Sequence, residues 1–269
     1  MAGSIKPFTW TTSMRPPSEV SMPDTSSDCA RAGPIVESVR TNAIAASNPS
    51  RRGRTSLSYH EAMEVADFCS TSRVVIVAGK GGVGKTTVTA ALAVTAARAG
   101  MKTLIVEVEG KSGLPTMFGA DALGYDELAL EPGIRARFLT PDAALIDYLE
   151  SHGMKRISKR LAASGALEVV ATAVPGMKDI LVLGKVKQID ESRTADLVIV
   201  DAPAAGHAIT FLLSARGLLD AVRMGPVRKQ AQDVVDLLSD PARCQVMLVT
   251  LPEETPVSEV IETAFAIED

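Results

Sequence analysis

The sequence contains no uncharged apolar run of roughly eighteen residues, the length a helix needs to cross a bilayer, so no segment reads as a transmembrane span. Its N-terminus also lacks the continuous apolar core of a secretory signal. The pair Arg51-Arg52 is followed by Gly53, Arg54 and polar residues, which is not the pattern of a twin-arginine export signal. Cysteine is scarce. Cys29, Cys69 and Cys244 lie far apart with no CxxC pair, which argues against a disulfide framework or a one-chain tetrahedral metal site and fits a reducing cytoplasm. Strong charge of either sign is missing too. A net charge of −4 and a pI near 5.5 argue against a protein that coats nucleic acid, and no nucleic-acid partner is expected. What is present is apolar material: 46% of the 269 residues are hydrophobic, enough for one substantial core with a small appended subdomain.

Residues 1–72 differ in kind from the remainder. Pro7, Pro16, Pro17, Pro23, Pro34 and Pro49 are scattered among Ser and Thr with no sustained apolar period, so 1–56 is expected to be disordered. Residues 57–69 predict one short helix, with Met63, Val65, Ala66 and Phe68 on one face. The cluster Arg51, Arg52, Arg54 reads as a solvated tail, with contact to acidic lipid or nucleic acid as the other reading. From residue 73 to 269, strand and helix patterns alternate. This predicts an α/β fold with a mostly parallel sheet and helices on both faces. Strands are expected at 73–78, 103–108, 134–139, 196–201 and 244–250, with Gly100 as a helix C-cap. Between 141 and 190, helical patterns interrupted by Gly153, Gly165 and Pro175-Gly176 predict a small helical subdomain over the sheet.

Residues 79–87 read Gly-Lys-Gly-Gly-Val-Gly-Lys-Thr-Thr. The apolar, β-branched run Val74-Val75-Ile76-Val77-Ala78 precedes them and an alanine-rich stretch from Val88 follows, so strand, glycine turn and helix N-terminus are expected in that order. This is the context of a phosphate-binding loop. Gly79, Gly81, Gly82 and Gly84 let the backbone close around phosphate where a Cβ would obstruct it. Lys80, Val83 and Thr87 complete the cradle, Lys85 supplies a point charge, and the Thr86 hydroxyl suits magnesium. A nucleoside triphosphate with Mg2+ is therefore the expected ligand. Asp201 closes the run Leu197-Val198-Ile199-Val200, where an acid at a strand's carboxyl end would contact the metal through water. The loop after it, with Gly206 and His207, is expected to switch with the γ-phosphate; His207 reads equally as a sensor or as a packed structural histidine. Glu107 and Glu109 lie two apart at the end of another strand. One would orient or deprotonate the attacking water, and the other would help hold the magnesium shell.

The second lysine, Lys80, makes this loop resemble the deviant Walker A motif of the dimeric ATPases. The stretch Asp201-Ala202-Pro203-Ala204-Ala205-Gly206-His207 is similar to the switch II motif of the ArsA/Get-type branch, and Val108-Glu109-Gly110-Lys111-Ser112-Gly113-Leu114 with Phe118-Gly119 is similar to its switch I. Pro175-Gly176-Met177-Lys178-Asp179 and Leu251-Pro252-Glu253 add two weaker matches. The resemblance covers about 73–269. It implies a Mg-dependent ATPase working as a homodimer, or as a heterodimer with a homologue. In such a dimer Lys80 reaches the neighbour's nucleotide, Glu109 stands at the catalytic acid, and Glu107, Asp201 and Thr86 serve the metal. It also implies a membrane or client protein partner. Glu109 replaces an Asp of the family, Gly110-Lys111 replaces Pro-Ala, and the family's metalloid and CxxC cysteines have no counterpart. Asp269 falls before the strand that carries the family's adenine contacts, so the C-terminal elements are expected to be missing. These departures keep open a weakly hydrolysing regulatory or scaffold subunit. A positioning ATPase of the MinD/ParA type ranks below it.

Overall fold

The computed structural model describes residues 35–38, 65–108, 110, 113–164 and 176–268, with the backbone alone at 35–38, 204–207 and 268. Its strands are β1 (Ile35–Ser38), β2 (Val74–Gly79), β3 (Thr103–Glu107), β4 (Leu128–Glu131), β5 (Ile134–Phe138), β6 (Leu197–Ala204) and β7 (Cys244–Thr250). They form one sheet in the order β1-β7-β2-β6-β3-β5-β4. The five strands from β7 to β5 run parallel, and β1 and β4 add antiparallel edges. The five strands expected from the sequence are these five parallel ones. β1 falls within the stretch expected to lack order. The rest of 1–64 lies outside the described residues.

The helices are α1 (Val65–Thr71), α2 (Lys85–Arg98), α3 (Leu114–Met117), α4 (Pro141–Ser151), α5 (Lys155–Ser164), α6 (Met177–Ser192), α7 (Ala205–Ala221), α8 (Pro226–Ser239) and α9 (Glu254–Glu268). Side-chain alternation along the strands splits the core into two layers. Val74, Ile76, Leu104, Val198 and Val200 face α6, α7 and α8 through Leu183, Phe211 and Val234. Val75, Val77, Ile105, Ile199 and Val249 face α1 and α2 through Phe68, Leu92 and Ala96. A parallel sheet covered on both faces has to be apolar on both, which is why its strands read as runs rather than alternations.

Several local outcomes follow from single residues. Gly100, at φ +89, donates to Ala97 O while Met101 donates to Ala96 O, the paired bonds that close a helix on a left-handed glycine. In α1, Phe68 is buried but Val65 is exposed, so the expected apolar face is narrower than the pattern suggested. The described helices of 141–190 are not one separate subdomain: α4 and α5 share a small cluster around Ala144, Leu145 and Leu149 that also takes in Leu181 of α6, while α6 enters the main core through Ile180, Leu183 and Val186. At the amino end of the sheet the Asp190 carboxylate, 1% exposed, takes a hydrogen bond from Arg73 Nε at 2.7 Å and two from Arg243, the shorter 2.8 Å. Burial pushes that carboxyl up, but the bonds from Arg243 and Arg73 outweigh it and hold the group below its ordinary value. The clamp ties α6 to the starts of β2 and β7. Cys69 and Cys244 are free and buried in different layers; burial lifts their thiols to about 11 and about 12, which leaves them inert at neutral pH.

Candidate functional site

The carboxyl ends of β2, β6 and β3 meet at one place. Strand register pairs Val77 with Asp201 and Asp201 with Glu107, so both acids stand in one row across the sheet. Alternation sends that row to the α2 side, where Val77 and Ile105 lie. Asp201 is 5% exposed and Glu107 3%, unusually deep for carboxylates. The Thr86 hydroxyl, in the first turn of α2, donates to Asp201 Oδ2 at 2.8 Å. A hydroxyl and two carboxylates form a hard oxygen donor set, the chemistry that suits magnesium and not a soft metal.

The loop between β2 and α2 is shaped for close approach. Gly79 ends β2, and a Cβ there would lie 2.2 Å from the backbone oxygen of Val249. Gly82 and Gly84 sit at φ +86 and +93, in the left-handed region that glycine enters without cost. Gly81 is exposed on the arc. Val83 points the other way: it is 2% exposed and joins the α2-side core, pinning the loop. The helix cap is Gly84, so no side-chain oxygen accepts from the first amides of α2, and the first turn holds no acid. It holds Lys85 and Thr86, with Thr87 exposed beside them. The uncapped amides turn the positive end of the helix toward the space the loop encloses, which favours an anion there.

The two lysines diverge. Lys85 Nζ folds over the loop to the Lys80 carbonyl at 3.3 Å, while Lys80 Nζ leaves it and meets Glu259 Oε1 on α9 at 2.8 Å. Sequence reasoning missed Glu259, which lies 179 positions from Lys80. Glu109, Lys111 and Ser112 lie outside the described residues, so the arrangement joins Thr86, Glu107 and Asp201 without placing the expected catalytic acid. Gly110 is placed, at φ +66, and a Cβ there would meet the Phe138 ring at 2.4 Å. A side chain at 110 would therefore require the Phe138 ring to move as well as a left-handed backbone.

α7 starts at Ala205, inside the stretch expected to be a switching loop. Gly206 and His207 therefore stand in its first turn and not in a loop, as strong helix formers such as Ala205 and Ala208 favour. The Pro252-Glu253 pair follows β7 in exposed backbone at the same end of the sheet. A separate polar cleft of about 670 Å3 lies between α4, α6 and α8, lined by Asp147, Tyr148, His152, Lys185, Lys229 and Asp233.

A family model described as anion-transporting ATPase matches residues 72–230, a span that includes the loop, Glu107 and Asp201. The ATPase BagA of Mycobacterium tuberculosis is 37% identical over 202 residues, covering 71% of this chain and 59% of its own length. The ATPase get3 of Schizosaccharomyces japonicus is 30% identical over 141 residues, covering 51% of this chain and 42% of its own. The chain thus spans about three fifths of the length of the mycobacterial relative and less of the yeast one.

Proposed function

The chain belongs to the anion-transporting ATPase family, and from that premise we propose that it binds ATP with Mg2+ in the cytoplasm and hydrolyses it as a dimer whose nucleotide-driven closing and opening acts on a partner or cargo. The observation that carries this reading is the 2.8 Å bond from Thr86 to buried Asp201, set at the mouth of an uncapped glycine loop. When bound there, the metal ion would offset triphosphate charge, held by the Thr86 hydroxyl and, through water, by Asp201 and Glu107. The loop amides and Lys85 would grip the β- and γ-phosphates. Phosphoryl transfer asks mainly for positioning and charge neutralisation, and these groups provide both. Glu109 would orient the attacking water with a side chain one methylene longer than the family's acid. Lys80 would cross to the phosphates of the neighbouring copy and complete that site.

The test is steady-state ATP turnover by the purified chain, alone and with Lys80→Ala or Glu109→Gln. The reading expects Mg-dependent turnover that rises steeply with protein concentration and collapses in both variants. Tight Mg·ATP binding with negligible release of phosphate at any concentration would instead favour the scaffold subunit.

A further inference from the structure

We propose that Glu259 is a positioning residue for Lys80, parking the loop's second lysine against its own subunit until the triphosphate of a neighbouring copy draws it away. This deepens the reading above and rests on it. The geometry is specific. Lys80 Nζ lies 2.8 Å from Glu259 Oε1, whereas Lys85, five positions on, turns back over the loop to the Lys80 carbonyl. One lysine stays over its own loop, and the other is held by an acid on a different element.

Glu259 is well placed to hold it. On α9 the neighbouring Val260 and Thr263 are 9% and 2% exposed, and the Thr263 hydroxyl donates to the Glu259 carbonyl at 2.6 Å. The buried side of the helix therefore fixes where the carboxylate stands. The ion pair itself is not buried: its side chains are 36% and 35% exposed. Water and salt screen such a pair, so it is weak and readily exchanged. A single carboxylate also competes poorly with a polyanionic triphosphate for one ammonium group. A buried, tightly packed pair would lock Lys80. This one releases it when a stronger anion arrives.

The consequence is a threshold on assembly. While Glu259 holds Lys80, only part of the population presents a free lysine, and the apparent affinity of one copy for another falls by that fraction. A pair of this exposure corresponds to a factor of about 2 to 5.

The experiment uses the full chain with Mg·ATP as the probe and reads the protein concentration at half-maximal specific turnover. Glu259→Gln and Glu259→Ala are expected to lower that midpoint about 2- to 5-fold, and Glu259→Asp to restore part of it. The gap between wild type and Glu259→Gln is expected to close near 0.5 M salt, where the Debye length falls to about 4 Å. Both neutral variants should melt within about 2 °C of wild type, because the side chain is partly exposed. A wild-type midpoint unchanged by either neutral variant, with Lys80→Ala still abolishing the concentration dependence, overturns the parking role alone. A concentration dependence that survives Lys80→Ala overturns the role of Lys80 across the dimer, and the parking role with it.

Discussion

Replacing Lys85 by Met separates what this residue does for the fold from what it does for the ligand. In the free protein its ammonium sits in the first turn of α2, beside an uncapped Gly84 and with no acid nearby in that turn. The helix dipole disfavours a cation there by about 0.3–1 kcal/mol. Against that stands the bond to the Lys80 carbonyl, at 3.3 Å a long and weak one. Met keeps the unbranched stem and the helix propensity, and the ammonium it removes belongs to a part-exposed residue, where water screens its contacts. At about 2–4 °C per kcal/mol for a domain of this size, the melting temperature should stay within about 3 °C of wild type. Binding should respond differently. A charge-assisted bond to phosphate is worth about 1.5–3 kcal/mol, so Mg·ATP affinity should fall roughly 10- to 150-fold. Differential scanning fluorimetry and isothermal titration calorimetry on the same preparation read both numbers. A melting temperature lowered by about 10 °C with affinity intact would make Lys85 a structural residue and refute the reasoning.

The remaining predictions concern the sheet that presents the site. Asp190→Asn leaves Arg73 and Arg243 facing each other without their carboxylate and should lower stability by about 2–4 kcal/mol, read as a fall of about 4–16 °C in melting temperature. Because the folded-state carboxyl is held below its ordinary value, its contribution is full above about pH 4, the unfolded value, and fades as pH falls through the lower folded one. The stability gap between wild type and Asp190→Asn, measured by urea unfolding across that range, should therefore shrink on acidification; a gap that widens would reverse the sign. Gly79→Ala forces a methyl group to 2.2 Å from the Val249 oxygen, so β2 and β7 must part. Overpacking of this kind costs about 1–3 kcal/mol, and Mg·ATP binding should weaken with it; an Ala variant as stable and as tight-binding as wild type would mean the strands are not this close.

Much of this was legible because local and global signals agreed. The β-branched run before Gly79 and the alanine-rich stretch after it could only be strand and helix, and the five apolar runs became the five parallel strands. β4 gave no such signal: Leu128 to Glu131 uses residues that favour helix, and the strand forms because Pro132-Gly133 turns it back onto β5 as an exposed edge. In the site, Thr86, Glu107 and Asp201 were readable from their positions at strand and helix ends. Their single row was not, because it depends on register between strands far apart in sequence. Glu259 and Asp190 were invisible for a related reason. Each sits in a helix beside other polar residues, and only the packing of α9 on β7, or of α6 against β2 and β7, makes one carboxylate differ from its neighbours.

Calorimetric titration of the folded chain with ATP, in the presence and absence of magnesium, bears most directly on whether this loop is a triphosphate cradle. The geometry predicts saturable, magnesium-dependent binding of one nucleotide per chain that Lys85→Met greatly weakens. Folded protein that takes up no Mg·ATP, or that binds it equally well without Lys85, would contradict it.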